Sequence, residues 1–446
     1  MLIKNDMPFS IRQYLGRGPS TSKEIQAATG LSQSSVARKL RGLKDNVIQL
    51  QRGRSIKYVS TCNAFGGNDK LPLGMVDANG DTVLIAFIRP LRHGGFFVEP
   101  KTDMSALLLG ENKDGLYDDL PYFLFDLRPQ GFLGRQIARE MASQCEDFPH
   151  DPRYWNTNHM GRYLISNGDD LPGNFKFGEQ AMLRVRRKPV IVSDADYPAL
   201  ADSVMSGNIP GSSAGGEQPK FTAYNGNSAS QVIVKFSPKG DNEIAKRWRD
   251  ILITEYHAAK IIHNEIFSVA ETRLIEMGER FFLETQRFDR LREYGRKSMI
   301  SLQSIDAEFT GLGNNWPQVM NALFKNGKVG EQDVIKAESF WYFGCLINNT
   351  DMHLGNLSLA IEGDMFKLLP LYDMCSMGFA PKSGGEVQPF VFVPPESRNI
   401  NLRKDQMENI KRIARDFWEN VGKDQRISDK FKKYLQKGNP VDRKSS

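Results

Sequence analysis

Asp351 and Asn356 stand five residues apart in the run Asn348-Asn349-Thr350-Asp351-Met352-His353-Leu354-Gly355-Asn356. A carboxylate placed there can accept or orient the proton of a substrate hydroxyl, and a carboxamide five positions later turns back toward a Mg²⁺ ion. Asp373, 22 residues beyond Asp351, offers a second hard oxygen donor for a cation that bridges nucleotide phosphates. Lys235 sits in the apolar run Gln231-Val232-Ile233-Val234-Lys235-Phe236, and a strand lysine is a partner for α- and β-phosphates. Upstream, Gly211-Ser212-Ser213-Ala214-Gly215-Gly216 lets backbone N–H groups approach phosphate oxygens. These residue types add up to phosphoryl transfer from a magnesium nucleotide.

Each signal also has an ordinary reading. An isolated aspartate is commonly a turn acid, and an edge-strand lysine is commonly solvated. The glycine-rich loop is neither G-x-x-x-x-G-K-[ST] nor G-x-G-x-x-G, so alone it could be any surface loop. His353 could serve as a metal ligand or base, but Asp351 already supplies the carboxylate, which leaves His353 to shape its loop. The order is what carries the signal: loop, strand lysine, linker, Asp-x-x-x-x-Asn, then a further Asp, as in protein kinases. No G-x-S-x-G occurs, so a serine-hydrolase order is not indicated.

The elements that must position these groups can be read around them. Asp241-Asn242-Glu243 starts a long amphipathic helix to about His263, and Glu255 on it is either an ion-pair partner for Lys235 or a surface acid. Strands are expected at Glu271–Glu276 and Phe281–Thr285, running into Gln286-Arg287-Phe288-Asp289-Arg290 as a linker between lobes. Leu357–Ala360 and Phe366–Leu371 read as strands about a Gly363-Asp364 turn, which puts Asp373 just past a strand end. The expected architecture is α/β and two-lobed. Its bounds are 191–290 for a small lobe and 291–446 for a mainly helical lobe.

The 446 residues suit several domains; 40% are hydrophobic and 25% charged, which excludes disordered and fibrous classes. No apolar run is long enough for a membrane span, the first residues lack a signal-peptide core, and four scattered cysteines suit a reducing cytoplasm. The net charge of +6 is uneven: residues 1–60 hold eleven Lys/Arg against three acids, leaving −2 for the remainder. That concentration points to a polyanion partner for the head alone. Within it, Ser10–Leu15, the capping box Thr21-Ser22-Lys23-Glu24, the turn Thr29-Gly30-Leu31 and a helix capped by Ser32 have helix-turn-helix spacing. Val47–Gln51 and Ser55–Val59 alternate as strands about Arg52-Gly53-Arg54. Residues 1–62 therefore read as a winged helix-turn-helix that meets DNA through Gln33, Ser34, Arg38, Lys39, Arg52 and Arg54, the alternative being a basic protein-docking platform. Residues 63–190 form a mixed α/β subdomain with strands about Asn79-Gly80 and a helix over Gly134–Met141. Asp118, Asp119, Asp169 and Asp170 are read there as solvated turn acids rather than a metal cluster.

The Ser213–Lys220 loop, Val234-Lys235, Arg287-Phe288-Asp289-Arg290, Asn349-x-Asp351-x-His353-x-x-Asn356 and Tyr372-Asp373 together resemble the HipA family of serine/threonine kinase toxins. The resemblance spans about residues 65 to 420, and the fused head makes the chain similar to the YjjJ (HipH) branch. It implies a protein-kinase-like fold with ATP and Mg²⁺ as cofactors, Asp351 as catalytic carboxylate and Asn356 and Asp373 as metal ligands. It further implies that Lys235 contacts phosphate, that Gln286 and Phe288 meet adenine through the backbone, and that Gln303 is a nucleotide contact. Ser213, Ala214, Gly215 and Gly216 would cover the phosphates, with Ser213 (or Ser212) autophosphorylated so that the loop is ejected and ATP binding lost. The implied partners are a protein substrate, DNA at the head and an antitoxin, with no membrane. Gln286 and the run Gln303-Ser304-Ile305-Asp306 depart from the family pattern and put the finer nucleotide contacts in question. Two other readings remain: a DNA-binding regulator with an inactive kinase-like sensor, opposed by the intact Asp351/Asn356/Asp373 set, and a small-molecule kinase.

Overall fold

The structure, a computed structural model, describes residues 10–52, 55–168, 170–206, 218–265, 268–382, 385–392 and 400–443. At the head, Ser10 and Thr21 form capping boxes and Ser32 accepts from the Ser35 amide, starting helices Ile11–Leu15, Ser22–Thr29 and Gln33–Gly42. Gly30 closes the second helix at φ +66°, a left-handed turn that glycine adopts without strain. Ile11, Leu15, Ile25, Val36, Leu40 and Val47 make a small separate core. An antiparallel sheet, Ser20–Thr21, Ser55–Ser60 and Val47–Arg52 in spatial order, packs with these three helices.

The head does not hang from a tether. Ile48, Leu50 and Val59 of its hairpin bury against Leu91, with Phe97 and Leu116 packed on the cluster. Arg89, buried at the seam, donates to the Asp45 carbonyl at 3.0 Å, to Asp69 at 3.0 Å and to Glu99 at 2.8 Å. Backbone bonds from Cys62 to Pro90 and from Arg92 to Ser60 continue the contact.

The next unit is a five-stranded antiparallel sheet in the order Leu116–Tyr117, Phe96–Pro100, Thr82–Pro90, Leu71–Val76, Phe175–Phe177. The expected turn at Asn79-Gly80 is present, with Asp77 accepting from the Asn79 and Asp81 amides. Helices Gly131–Gln144 and Thr157–Asn167 belong to the same unit.

A second five-stranded sheet runs Thr272–Met277, Arg280–Gln286, Ser230–Phe236, Lys220–Asn225, Ile191–Val192. Helix Glu243–Glu265 lies beside it and starts where Asn242 accepts from the Ala245 amide. Beyond Gln286, helices Leu302–Phe309, Trp316–Lys325, Glu331–Leu346 and Lys404–Lys423 enclose the main core. A small sheet sets Ile300–Ser301, Ser358–Glu362 and Met365–Leu368 side by side in that order. The last strand stops at Leu368 rather than the expected Leu371, because the Leu371 amide leaves the ladder and donates to the Ser268 carbonyl instead. Among the described residues no helix is long and apolar enough to cross a membrane.

The long helix joins the lobes through a buried acid. Asp250 accepts from the Ser428 amide at 2.8 Å and hydroxyl at 2.6 Å, and burial pushes its pKa up to about 6 against those two bonds. The folded value exceeds the ordinary 3.8, so the neutral form favours folding. That contribution, about 3 kcal/mol, is full below about pH 4 and lost as pH rises through 6. Asp250→Asn is therefore expected to be more stable than the parent at pH 8 and to flatten the slope between pH 4 and 6. Urea unfolding at pH 4, 6 and 8 checks it; an unchanged slope refutes it.

Candidate functional site

Lys235 occupies the central strand of the second sheet, its Cα opposite Lys220 on one side and Leu283 on the other. Its side chain is 7% exposed, and its Nζ lies 2.6 Å from Glu255 and 2.7 Å from Asp373. The long helix thus delivers Glu255 as an ion-pair partner and not as a surface acid. Asp373 sits at φ +56°, a left-handed backbone that a non-glycine residue adopts only when its surroundings impose it. Burial works against the charge on Lys235, but the Asp373 and Glu255 carboxylates outweigh it and raise its pKa, so the ammonium persists. Burial likewise opposes the Asp373 charge; Lys235 and Lys220 overcome it and hold that carboxyl below its usual range. Glu255 moves the other way: burial, helped by Asp373, raises it despite Lys235.

The loop around Asp351 is fixed from within. The Asn349 side chain accepts from the Asp351 amide at 3.1 Å, and the Asn356 carboxamide donates to the Asp351 carbonyl at 2.7 Å. Gly355 donates to His353 Nδ1, and Trp316 Nε1 donates to the His353 carbonyl at 2.9 Å. His353 is thereby a loop-shaping residue, with its Nε2 3.9 Å from the Asp351 carboxylate. Asp351 itself is half-exposed; burial of the remainder and the nearby Asp373 raise its pKa, while His353 opposes them. With its NH₂ committed to a carbonyl, Asn356 presents its amide oxygen as an acceptor. Asn356 and Asp373 both line one cleft, and a carboxamide oxygen and a carboxylate are hard donors of the type that suits Mg²⁺.

Four of the expected nucleotide contacts, Lys235, Gln286, Phe288 and Gln303, line that same cleft between the lobes. The Phe288 ring lies 5.7 Å from Tyr372. Asp351 is tied to the cleft through Asn356. Ser213, Ala214, Gly215 and Gly216 lie outside the described residues. At the head, Gln33, Ser34, Arg38 and Lys39 are all exposed on the helix Gln33–Gly42; the Arg52 side chain and Arg54 lie outside the described residues.

The structure corrects the reading of Asp170 as a solvated turn acid. Its carboxylate meets Arg287 at 3.0 Å and Arg290 at 2.7 Å, both of them buried. Three other groups were missed as parts of the cleft wall. Lys220, 2% exposed, stands beside Lys235 with its pKa lowered by burial. Asp126 accepts from the Ser301 amide and from the hydroxyls of Ser301 and Ser304. Arg128 lies over the Phe125 ring at 4.6 Å. Only Lys220 had a legible signal, as the lysine that opens the strand after the glycine-rich loop.

Two family descriptions match the chain: "YjjJ-like toxin, middle domain" over residues 67–186 and "HipA-like C-terminal domain" over residues 212–436. Toxin YjjJ of Escherichia coli K12 is 34% identical over 438 residues, covering 96% of this chain and 95% of that protein. Among solved structures, the fold resembles Shewanella oneidensis MR-1 HipA, determined as a complex with HipB and operator DNA. The TM-score is 0.58 at 17% identity, over 83% of this chain and 95% of that one.

Proposed function

The chain belongs to the HipA-like toxins, in their YjjJ-like branch, and from that premise we propose that it is an ATP- and Mg²⁺-dependent serine/threonine protein kinase. In this reading it phosphorylates a protein hydroxyl and its own Ser213 or Ser212, and acts as the toxin of a type II toxin–antitoxin system whose head binds DNA. One observation carries it: Glu255 and Asp373, from opposite lobes, converge on one buried lysine beside the Asp351–Asn356 loop. A strand lysine paired with a helix glutamate, beside an aspartate that can bind metal, is the working arrangement of protein kinases.

The residues divide the work. Lys235 holds the α- and β-phosphates while Glu255 keeps its ammonium aimed into the cleft. Asp351 takes the proton of the attacking hydroxyl, and its raised pKa brings it closer to neutrality, where a base works best. Asn356 and Asp373 hold Mg²⁺, which when bound neutralises charge on the phosphates. Phe288 and Gln286 seat the base at the linker. Incubation of the full chain with γ-labelled ATP and Mg²⁺, followed by peptide mapping, tests the reading: label is expected on the 211–217 loop, and its absence from the chain and from added lysate proteins overturns it.

The exposed face of the Gln33–Gly42 helix supports the DNA part. Arg38→Ala/Lys39→Ala in the full chain is expected to weaken duplex binding about tenfold or more at 0.1 M salt. It should also lower the slope of log K against log salt by about 2, since each phosphate contact contributes about 0.9. Fluorescence anisotropy between 50 and 200 mM salt measures both; an unchanged slope removes this helix from the interface.

A further inference from the structure

We infer that Arg128 of the middle domain is a phosphate-binding residue of the cleft, its guanidinium meeting the phosphate tail of the nucleotide. The inference rests on the nucleotide reading above and adds to it a cation from outside both lobes.

The segment that carries Arg128 is anchored at both ends. It joins the short helix Tyr122–Phe125 to the helix Gly131–Gln144. At its start Asp126 accepts from the Ser301 amide at 2.8 Å and from the hydroxyls of Ser301 and Ser304, two buried serines of the catalytic lobe. At its end Pro129 lies so close to Gly134 that a Cβ there would stand 2.6 Å from the Pro129 carbonyl carbon. Between these anchors the Arg128 guanidinium lies over the Phe125 ring at 4.6 Å, and Asp126, Arg128 and Gln130 all line the cleft. The first anchor also ties the segment to the candidate metal ligands. Ser301 is the strand partner of Ser358, whose hydroxyl shares a hydrogen bond with that of Tyr372 at 2.7 Å. Tyr372 precedes Asp373 and donates to the carbonyl of Gly355, the neighbour of Asn356.

Charge gives the segment its use. Of the other cations on the cleft wall, Lys235 holds Glu255 and Asp373, and Arg287 is paired with Asp170 and Asp289. Arg128 makes no ion pair among the described residues; its neighbour is a ring. Burial lowers its pKa and Asp119 offsets this in part, but that carboxylate is spent on the Leu120 amide at 2.7 Å and the Thr157 hydroxyl at 2.6 Å. An arginine keeps its proton in any such setting, so a half-buried positive charge lines the cleft without a counter-ion. An anion completes it, and the planar fork of a guanidinium matches a phosphate. The nucleotide is the favoured anion, because Arg128 shares this cleft with Lys235, Gln286 and Gln303.

The test uses the full chain, dephosphorylated beforehand, with Mg²⁺ present. Isothermal titration compares adenosine with the non-hydrolysable β,γ-imido analogue of ATP. Arg128→Met keeps a stem on Phe125 without the charge, and is expected to raise the Kd of the analogue at least tenfold with that of adenosine within twofold. Arg128→Lys keeps a point charge without the fork. It should raise the Kd of the analogue at least twofold, but by no more than half of the Arg128→Met loss on a logarithmic scale. A merely structural role would move adenosine as much as the analogue. If Arg128→Met does not fold, Arg128→Lys decides alone by the same contrast between the two compounds. A Kd for the analogue that moves less than twofold in either variant, an equal loss for adenosine, or Arg128→Lys no better than Arg128→Met overturns the inference with the nucleotide reading intact. An unmoved Kd with slower transfer to added protein also overturns it, and assigns Arg128 to the acceptor. A parent chain that binds neither compound overturns both readings.

Discussion

Asp351→Asn is expected to lower phosphoryl transfer by a hundred- to ten-thousandfold while ATP affinity stays within a few-fold of the parent. A positioned general base contributes on that scale, and an amide cannot take the hydroxyl proton. The fold should not suffer. The bonds that reach the Asp351 backbone run from the Asn349 and Asn356 side chains to its amide and carbonyl, and both survive the exchange. The side chain is half-exposed, and removing its charge relieves repulsion with Asp373. Stability should accordingly change by no more than about 0.5 kcal/mol, as for exposed substitutions. The parent's pH profile gives an independent check. Burial raises the Asp351 pKa above the usual carboxylate range, and the base works only when ionised. Activity is then present above that raised value and falls as pH drops through it, so the acid limb of kcat/KM should lie higher than for an ordinary aspartate. Equal label transfer by Asp351→Asn and the parent would remove Asp351 from the chemistry, leaving a sensor that binds nucleotide without using it.

What the sequence disclosed and what it hid follow from the range of the contacts. The Asp351–Asn356 loop closes over five residues, so its spacing is its geometry, and it could be read directly. The capping boxes at Ser10 and Thr21 are equally local. Glu255 reaches Lys235 across 20 residues of strand, turn and helix; both groups were visible, but their meeting was not decided until the helix axis was fixed. Asp170 and Arg287 lie 117 residues apart, and Asp126 and Ser301 lie 175 apart, with no periodicity linking either pair. A turn-rich stretch beginning Asn167-Gly168 makes any acid in it look solvated, which is why Asp170 was misread. Docking of the head by Arg89 was hidden for a related reason: one arginine in a strand says nothing about a carbonyl on another domain.

Lys235→Met should be the most damaging single change in the lobe interface, destabilising the fold by about 3–5 kcal/mol as well as weakening ATP binding at least a hundredfold. The lysine holds Glu255 and Asp373 together at 2.6 and 2.7 Å, with Lys235 and Glu255 buried and Asp373 opening onto the cleft, and removing one partner of such a pair strands the others. Lys220 remains nearby, but its own pKa is lowered by burial, and one cation against two carboxylates does not restore balance. The defect should carry a pH signature. In the parent, Asp373 is held below its ordinary value, so its contribution is present at neutral pH and lost only in acid. In the variant both carboxyls would rise above their unfolded values, so stability would be lost as pH increases and regained as they protonate. The gap between parent and variant should then be widest at pH 8 and narrow at pH 5, as read by urea unfolding. Glu255→Gln provides the control, because Lys235 keeps Asp373 and the site loses one charge without orphaning the lysine. It should cost less stability than Lys235→Met at pH 8, and a gap that is flat with pH in both variants would show that packing, not charge, holds the two lobes here.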